Sequence, residues 1–265
     1  SDGPLVGDSL GMVMLGYDTT QPVTVDEMLH HCRAVKRGTK GPLIVGDMPF
    51  GSYETSPIQA MQTAFRFVKE GFVDAVKLEG GNNRKDHIRS IVDGGIAVMG
   101  HIGLNPQSIS ALGYFKAQGR TAEQAEMLVE DALSIQDAGA FACVIECVPP
   151  IVAQKVSEMI SIPLIGIGAG PYVDGQVLVY HDMLGLLQHP HHRNVAPKFC
   201  KIFADAHFEV MKGLKRFKVD AEKGVFPGPE HSPYAMLPNE EEMFLGVLSG
   251  KYGKCGSDGK NDSKR

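Results

Sequence analysis

The stretch Asp74-Ala-Val-Lys-Leu-Glu-Gly-Gly81 constrains the fold of this chain more than any other. Its centre is apolar enough for a buried strand, yet Lys77 and Glu79 lie two residues apart, so a period of two turns both to one face. Unpaired buried charge costs several kcal/mol, so these side chains must be paired, bonded or used. The same design recurs. Leu5-Val-Gly-Asp-Ser9, Leu43-Ile-Val-Gly-Asp47, Val98-Met-Gly-His101 and Val144-Ile-Glu146 each run apolar and end on a polar residue. At the end of a parallel sheet those residues gather in one place.

Helical signals fall between these runs. Thr24-Val-Asp-Glu27 is a capping box opening a helix over 24–37, and Ser56-Pro57 opens another that runs to Glu70 with Gly71 as its stop. A shorter helix is predicted over 83–92. Thr121 with Gln124 predicts a second capping box and a helix ending at Gly139, and Pro149 opens a helix over 149–160. Strands are predicted over 42–50, 74–81, 96–102, 140–148, 163–167 and 176–180 besides the first, with residues 10–17 as a glycine-rich loop. Regular alternation of strand and helix implies right-handed crossovers and a parallel sheet. Seven strands in this pattern predict a (β/α)8 TIM barrel short of one unit, a doubly wound open sheet being the alternative. The barrel is favoured because polar residues end several different strands instead of lining one crevice. Beyond Pro197 the pattern is helical to Lys223, with a last helix over 240–248. Residues 1–249 form one barrel domain with C-terminal helices in this reading, and 250–265 a disordered tail.

At 265 residues, 43% hydrophobic and 22% charged, the chain has enough apolar side chains for a large core. A net charge of -5 and the lack of long Lys/Arg runs argue against nucleic acid or a membrane surface as partner. No stretch approaches the roughly 18 apolar residues of a membrane span. Five cysteines (Cys32, Cys143, Cys147, Cys200, Cys255), odd in number and without a CxxC pair, suit a reducing compartment, the first four as small buried apolar residues.

Asp8, Asp47 and Glu79 end three consecutive strands and so lie side by side on the C-terminal rim of a parallel barrel. Three carboxylates there suit a hard cation, magnesium above all, with manganese or cobalt able to substitute. Glu146 ends a separate strand among apolar neighbours, a setting for a general base. Lys77 could neutralise a bound carboxylate or enolate, or form a structural salt bridge to Glu79 or an Asp. His101 could orient a substrate oxygen or be a satisfied structural histidine. His189-Pro-His-His192 lacks cysteine or carboxylate partners at zinc spacing. Gly166-Ile-Gly-Ala-Gly170 departs from a dinucleotide fingerprint and predicts a tight strand-to-loop turn. Ser9 lacks the flanks of a nucleophile elbow.

The strings VGDSLGMV, PLIVGDMPFGSYE, AVKLEGG, MGHIGLNPQS, VIECVPP, IPLIGIGAG and VFPGPEHSPY, in this order from Leu5 to Tyr234, resemble the ketopantoate hydroxymethyltransferases. The resemblance implies a (β/α)8 barrel of the phosphoenolpyruvate mutase and isocitrate lyase type, a homo-oligomer that is decameric in many members. It also implies that Asp8, Asp47 and Glu79 serve magnesium and that Asp8, Ser9, Asp47 and Lys77 contact the 2-oxo acid, with His101 as an additional contact. Glu146 is then the proton acceptor, and 5,10-methylenetetrahydrofolate the one-carbon co-substrate. The QHPHH wording and the longer tail resemble plant or other eukaryotic members, which implies a mitochondrial setting. Family members carry one more strand and helix before the stretch that begins here, so the chain is expected to leave its barrel unclosed. Two rival readings are a magnesium-dependent lyase or mutase on another 2-oxo acid, and a non-catalytic barrel.

Overall fold

In a computed structural model, the structure describes residues 3–108, 116–187 and 198–253. Their contacts divide the chain into two units, Ser1–His207 and Phe208–Arg265.

The first unit is built on a sheet of seven parallel strands among the described residues: β1 Leu5–Val6, β2 Val45–Asp47, β3 Ala75–Lys77, β4 Ala97–Gly103, β5 Ala142–Glu146, β6 Leu164–Ile167 and β7 Gly175–Gln176. Each pairs with the next in sequence. A doubly wound sheet reverses its strand order at a switch point. This one never does, so the order is that of a βα barrel. Between the strands lie α1 Leu10–Val13, α2 Val25–Gly38, α3 Pro57–Gly71, α4 Lys85–Asp93, α5 Ala122–Asp137 and α6 Pro150–Met159; α7 Tyr180–Met183 follows β7.

The helix starts are written in side chains. Thr24 accepts from the Glu27 N–H at 3.2 Å, and Glu27 accepts from the Thr24 N–H at 2.7 Å, which completes the capping box of α2. Ser56 accepts from the Gln59 N–H, with Pro57 in the first turn of α3. At α5, Thr121 accepts from the Gln124 N–H, but Gln124 reaches back to the Arg120 N–H and not to Thr121, so the second box is incomplete. The stop of α3 also differs from expectation. Gly71 is still helical and Phe72 takes the left-handed turn at φ 58°.

Strands come out shorter than their apolar runs because the run continues into loop backbone at either end. Residues 10–17 hold the short helix α1, whose Leu10 is buried, and are not wholly loop. The seventh strand ends at Gln176; Val179 caps α7, so 177–180 are not strand. Gly168 and Gly170 have φ of 62° and 84°, the predicted tight turn after β6.

The core lies between strands and helices, with Phe67, Ile88, Ile91, Val98, Ile135, Ile145 and Leu164 all fully buried. Two glycines set the helix distance. A Cβ on Gly46 of β2 would meet the Phe67 ring at 2.6 Å, and one on Gly100 of β4 would meet Ile135 at 2.5 Å. Cys32 and Cys143 are buried as expected, whereas Cys147 and Cys200 are only half-buried; Cys255 lies outside the described residues.

In the second unit, α8 Ala206–Glu222 and α9 Pro238–Tyr252 bury no residue. Residues 199–205 are not helical, against the reading of a helix from Pro197 onward. Helix α9 continues past Gly250, where the tail was expected to begin. Residues 254–265 and the His189 to His192 cluster lie outside the described residues. Among the described residues no helix is long and apolar enough to cross a membrane.

Candidate active site

Parallel strands in register bring the polar strand ends together. Asp47 is level with Lys77 across β2 and β3, and Gly103 with Glu146 across β4 and β5. Asp8, Asp47, Lys77, Glu79 and His101 are all buried, each 5% exposed or less. The sheet curls: Asp8, after β1, is reached by Gln107, from the loop after β4, at 3.0 Å.

Lys77 is at the centre. Its Nζ lies 2.8 Å from Asp47 Oδ1 and 3.2 Å from Nδ1 of His101. Burial alone would lower the Lys77 pKa, but Asp47, Glu79 and Asp8 more than offset it and hold the ammonium charged above its usual range. The structural reading of Lys77 is therefore met by Asp47, not Glu79. The ammonium has three N–H donors to divide among Asp47, His101 and a further oxygen.

Facing an ammonium, His101 Nδ1 can only accept, so the imidazole proton sits on Nε2. That atom is 3.3 Å from Glu146 Oε2. Burial and Lys77 hold the His101 pKa below its usual value, which keeps the ring neutral. Glu79 lies on the same side, its Oε1 3.9 Å from His101 Nδ1, as the period of two requires.

The Glu146 side chain, 15% exposed, is more open than its acidic neighbours. Its backbone is pinned on both sides. Its carbonyl accepts from the Leu104 N–H at 2.9 Å, and the Cys147 N–H donates to Ile167 at 2.9 Å. Cys147 itself has φ 53°, left-handed backbone that a non-glycine adopts at a cost. Ser9 is half-buried at the start of α1, next to Asp8.

Two residues of this site carry no signal of their own in the sequence: Gln107 and Tyr53. The Gln107 backbone N–H donates to Glu79 Oε2 at 3.1 Å, and Nε2 donates to Asp8 Oδ2 and to the Met48 carbonyl at 3.0 and 2.9 Å. Tyr53 donates its hydroxyl to Gln107 Oε1 at 2.6 Å and accepts from the Glu79 N–H at 3.2 Å.

Asp8, Asp47 and Glu79 place three buried carboxylates around one ammonium. Burial and Asp47 push the Asp8 carboxyl up to about 7, and burial raises Glu79 well above the carboxylate range. Among the described residues no three acidic, cysteine or histidine side chains already surround one metal-sized position. The all-oxygen donors nonetheless suit a hard divalent cation, which favours the ionised form of such acids, takes one or two carboxylates and completes its shell with water and substrate.

Residues 1–229 match the family model described as Ketopantoate hydroxymethyltransferase. The chain belongs to this family. A relative from Arabidopsis thaliana named 3-methyl-2-oxobutanoate hydroxymethyltransferase 1, mitochondrial, is 55% identical over 92% of this chain and 71% of its own length. The Oryza sativa protein of the same name is 52% identical over 92% of this chain and 67% of its own length. A bacterial relative from Heliobacterium modesticaldum, named 3-methyl-2-oxobutanoate hydroxymethyltransferase, is 52% identical over 86% of this chain and 81% of its own length. The match takes in every residue of the site, so this chain is a hydroxymethyltransferase of the ketopantoate family, a transferase of pantothenate biosynthesis.

Proposed function

We propose that this hydroxymethyltransferase moves a one-carbon unit from 5,10-methylenetetrahydrofolate to C3 of 3-methyl-2-oxobutanoate, giving 2-dehydropantoate. The observation that carries the reading is the division of labour among the acids. Asp8, Asp47 and Glu79 are sequestered around Lys77, while Glu146 stays more open and faces a neutral His101 at 3.3 Å.

Asp8, Asp47 and Glu79 hold magnesium in this reading. When bound, it supplies Lewis-acid polarisation of the 2-oxo group. Lys77 directs its remaining N–H at the substrate oxygen on which negative charge grows, the kind of preorganised stabilisation that needs no reorientation during reaction. Ser9 offers a hydroxyl beside Asp8 for the substrate carboxylate. Glu146 takes the proton from C3, and the electron pair of that bond is delocalised toward the keto oxygen. The Nε2–H of His101, 3.3 Å from Glu146 Oε2, places a neutral donor beside that carboxylate. C3 then bonds to the one-carbon unit while both C–N bonds of that unit break. Water supplies the hydroxyl oxygen, its two protons and the one from C3 go to the two folate nitrogens and the new hydroxyl, and tetrahydrofolate leaves.

Two further parts of the reading rest on other observations. The plant relatives are named as mitochondrial, which supports a mitochondrial location. Exposed Leu214 and Phe217 on α8 and Phe244 and Leu245 on α9 offer apolar surface for a homo-oligomer, decameric by family resemblance. Sedimentation of the purified chain reads the assembly.

The test of the reaction is product formation from the 2-oxo acid with magnesium, with and without 5,10-methylenetetrahydrofolate. Folate-dependent 2-dehydropantoate is expected. Turnover of the 2-oxo acid that ignores folate would instead mark a lyase or mutase.

A further inference from the structure

We infer that Gln107 is a positioning residue for the carboxylates that hold the cation, and this inference rests on the reading of Asp8, Asp47 and Glu79 as its ligands. Gln107 is 2% exposed, in the 3₁₀ turn Pro106–Ser108 after β4. Such a loop glutamine would ordinarily face solvent. Here every polar atom of the residue is used.

The amide orientation is fixed by its neighbours. Nε2 faces two acceptors, Asp8 Oδ2 and the Met48 carbonyl, so it must be the NH2 end. Oε1 is then the acceptor, and Tyr53 must donate to it. With its one proton committed, the Tyr53 oxygen is free to accept the Glu79 N–H. The Gln107 carbonyl accepts from Gln21 Nε2 at 3.1 Å, which ties the turn to the loop before α2. One side chain and its backbone thereby strap the ends of β1, β2 and β3, the three strands that carry Asp8, Asp47 and Glu79.

The polarity of this network has a chemical result. Asp8 Oδ2 receives an N–H, so it presents a lone pair there, and Oδ1 takes no bond from Gln107. Glu79 Oε2 likewise accepts the Gln107 N–H, with Oε1 turned toward His101. Gln107 thus fixes how each carboxylate is turned. Partners of this kind around metal ligands are typically worth about 10- to 100-fold in metal affinity.

The experiment is calorimetric titration of the full chain with magnesium chloride. The variants are Gln107→Met, which keeps length and removes the side-chain bonds to Asp8, Met48 and Tyr53, Tyr53→Phe, which removes only the hydroxyl that orients the amide, and Asp47→Asn. Magnesium affinity about 10- to 100-fold weaker in Gln107→Met, with a smaller loss in Tyr53→Phe, is the expected result. Loss of binding in Asp47→Asn with unchanged affinity in Gln107→Met overturns the role of Gln107 and leaves the cation site standing. If Gln107→Met does not fold, unchanged affinity in Tyr53→Phe overturns it. Absence of magnesium binding by the unaltered chain overturns the site reading and this inference together.

Discussion

The ammonium of Lys77 stands 3.2 Å from Nδ1 of His101, and that contact decides where the imidazole carries its proton. With Nδ1 as acceptor, Nε2 keeps its hydrogen, 3.3 Å from Glu146 Oε2. Burial and Lys77 keep the ring from taking a second proton. Nitrogen-15 spectra of the histidines are expected to show one neutral ring with unprotonated Nδ1, unchanged from about pH 8 to about pH 6, where an ordinary histidine titrates. In Lys77→Ala that tautomer preference is expected to vanish. A His101 ring protonated on both nitrogens across this range would contradict the assignment.

Removing Lys77 also leaves Asp47 buried with no countercharge. Breaking one partner of such a pair costs about 3–5 kcal/mol. Urea unfolding of Lys77→Ala is expected to show a loss of that size, and a loss below about 1 kcal/mol would show that Asp47 finds other compensation.

Asp8 makes stability depend on pH. Its folded-state pKa of about 7 lies above the ordinary value of 3.8. Between these two values the folded chain binds more protons than the unfolded chain. Stability of the cation-free protein from this group is therefore present below about pH 4 and is lost as pH rises through about 7. The decline from about pH 5 to about pH 8 is expected to be steeper in the unaltered chain than in Asp8→Asn, and to shrink when magnesium is added. Equal slopes for the two proteins would count against the assignment.

Thr24→Ala serves as a control away from the site. It removes the capping box of α2 and is expected to cost about 1 kcal/mol in unfolding while leaving turnover unchanged. A fall in turnover comparable to that of a site variant would show that α2 communicates with the strand ends.

Much of this site was legible because the arrangement is expensive. Charged residues at the ends of apolar runs, as at Asp47, Lys77 and Glu146, are not tolerated in a core without a use or a partner, and strand periodicity alone puts Lys77 and Glu79 on one side. Helix starts were legible for a similar reason, since Thr24 and Ser56 satisfy backbone donors that would otherwise be orphaned. The contributions of Gln107 and Tyr53 were hidden. A glutamine or tyrosine in a loop has the same local sequence whether it faces water or bridges strands, and only the curl that brings the β4 loop over Asp8 distinguishes the two. Strand ends were misjudged where apolar residues continue past the last ladder bond, as after Gln176. The stop of α3 moved by one residue because Phe72 accepts a left-handed backbone, a position where glycine is the default.

The central claim is that Glu146 removes the C3 hydrogen of a 2-oxo acid held at the Asp8, Asp47 and Lys77 end of the sheet. Exchange of that hydrogen of 3-methyl-2-oxobutanoate into deuterated water, followed by proton NMR without folate, isolates this step. Exchange should require both magnesium and Glu146, with Glu146→Gln falling to the uncatalysed rate while its fold and magnesium binding persist. Undiminished exchange in Glu146→Gln, or none in the folded, magnesium-loaded unaltered chain, would contradict it.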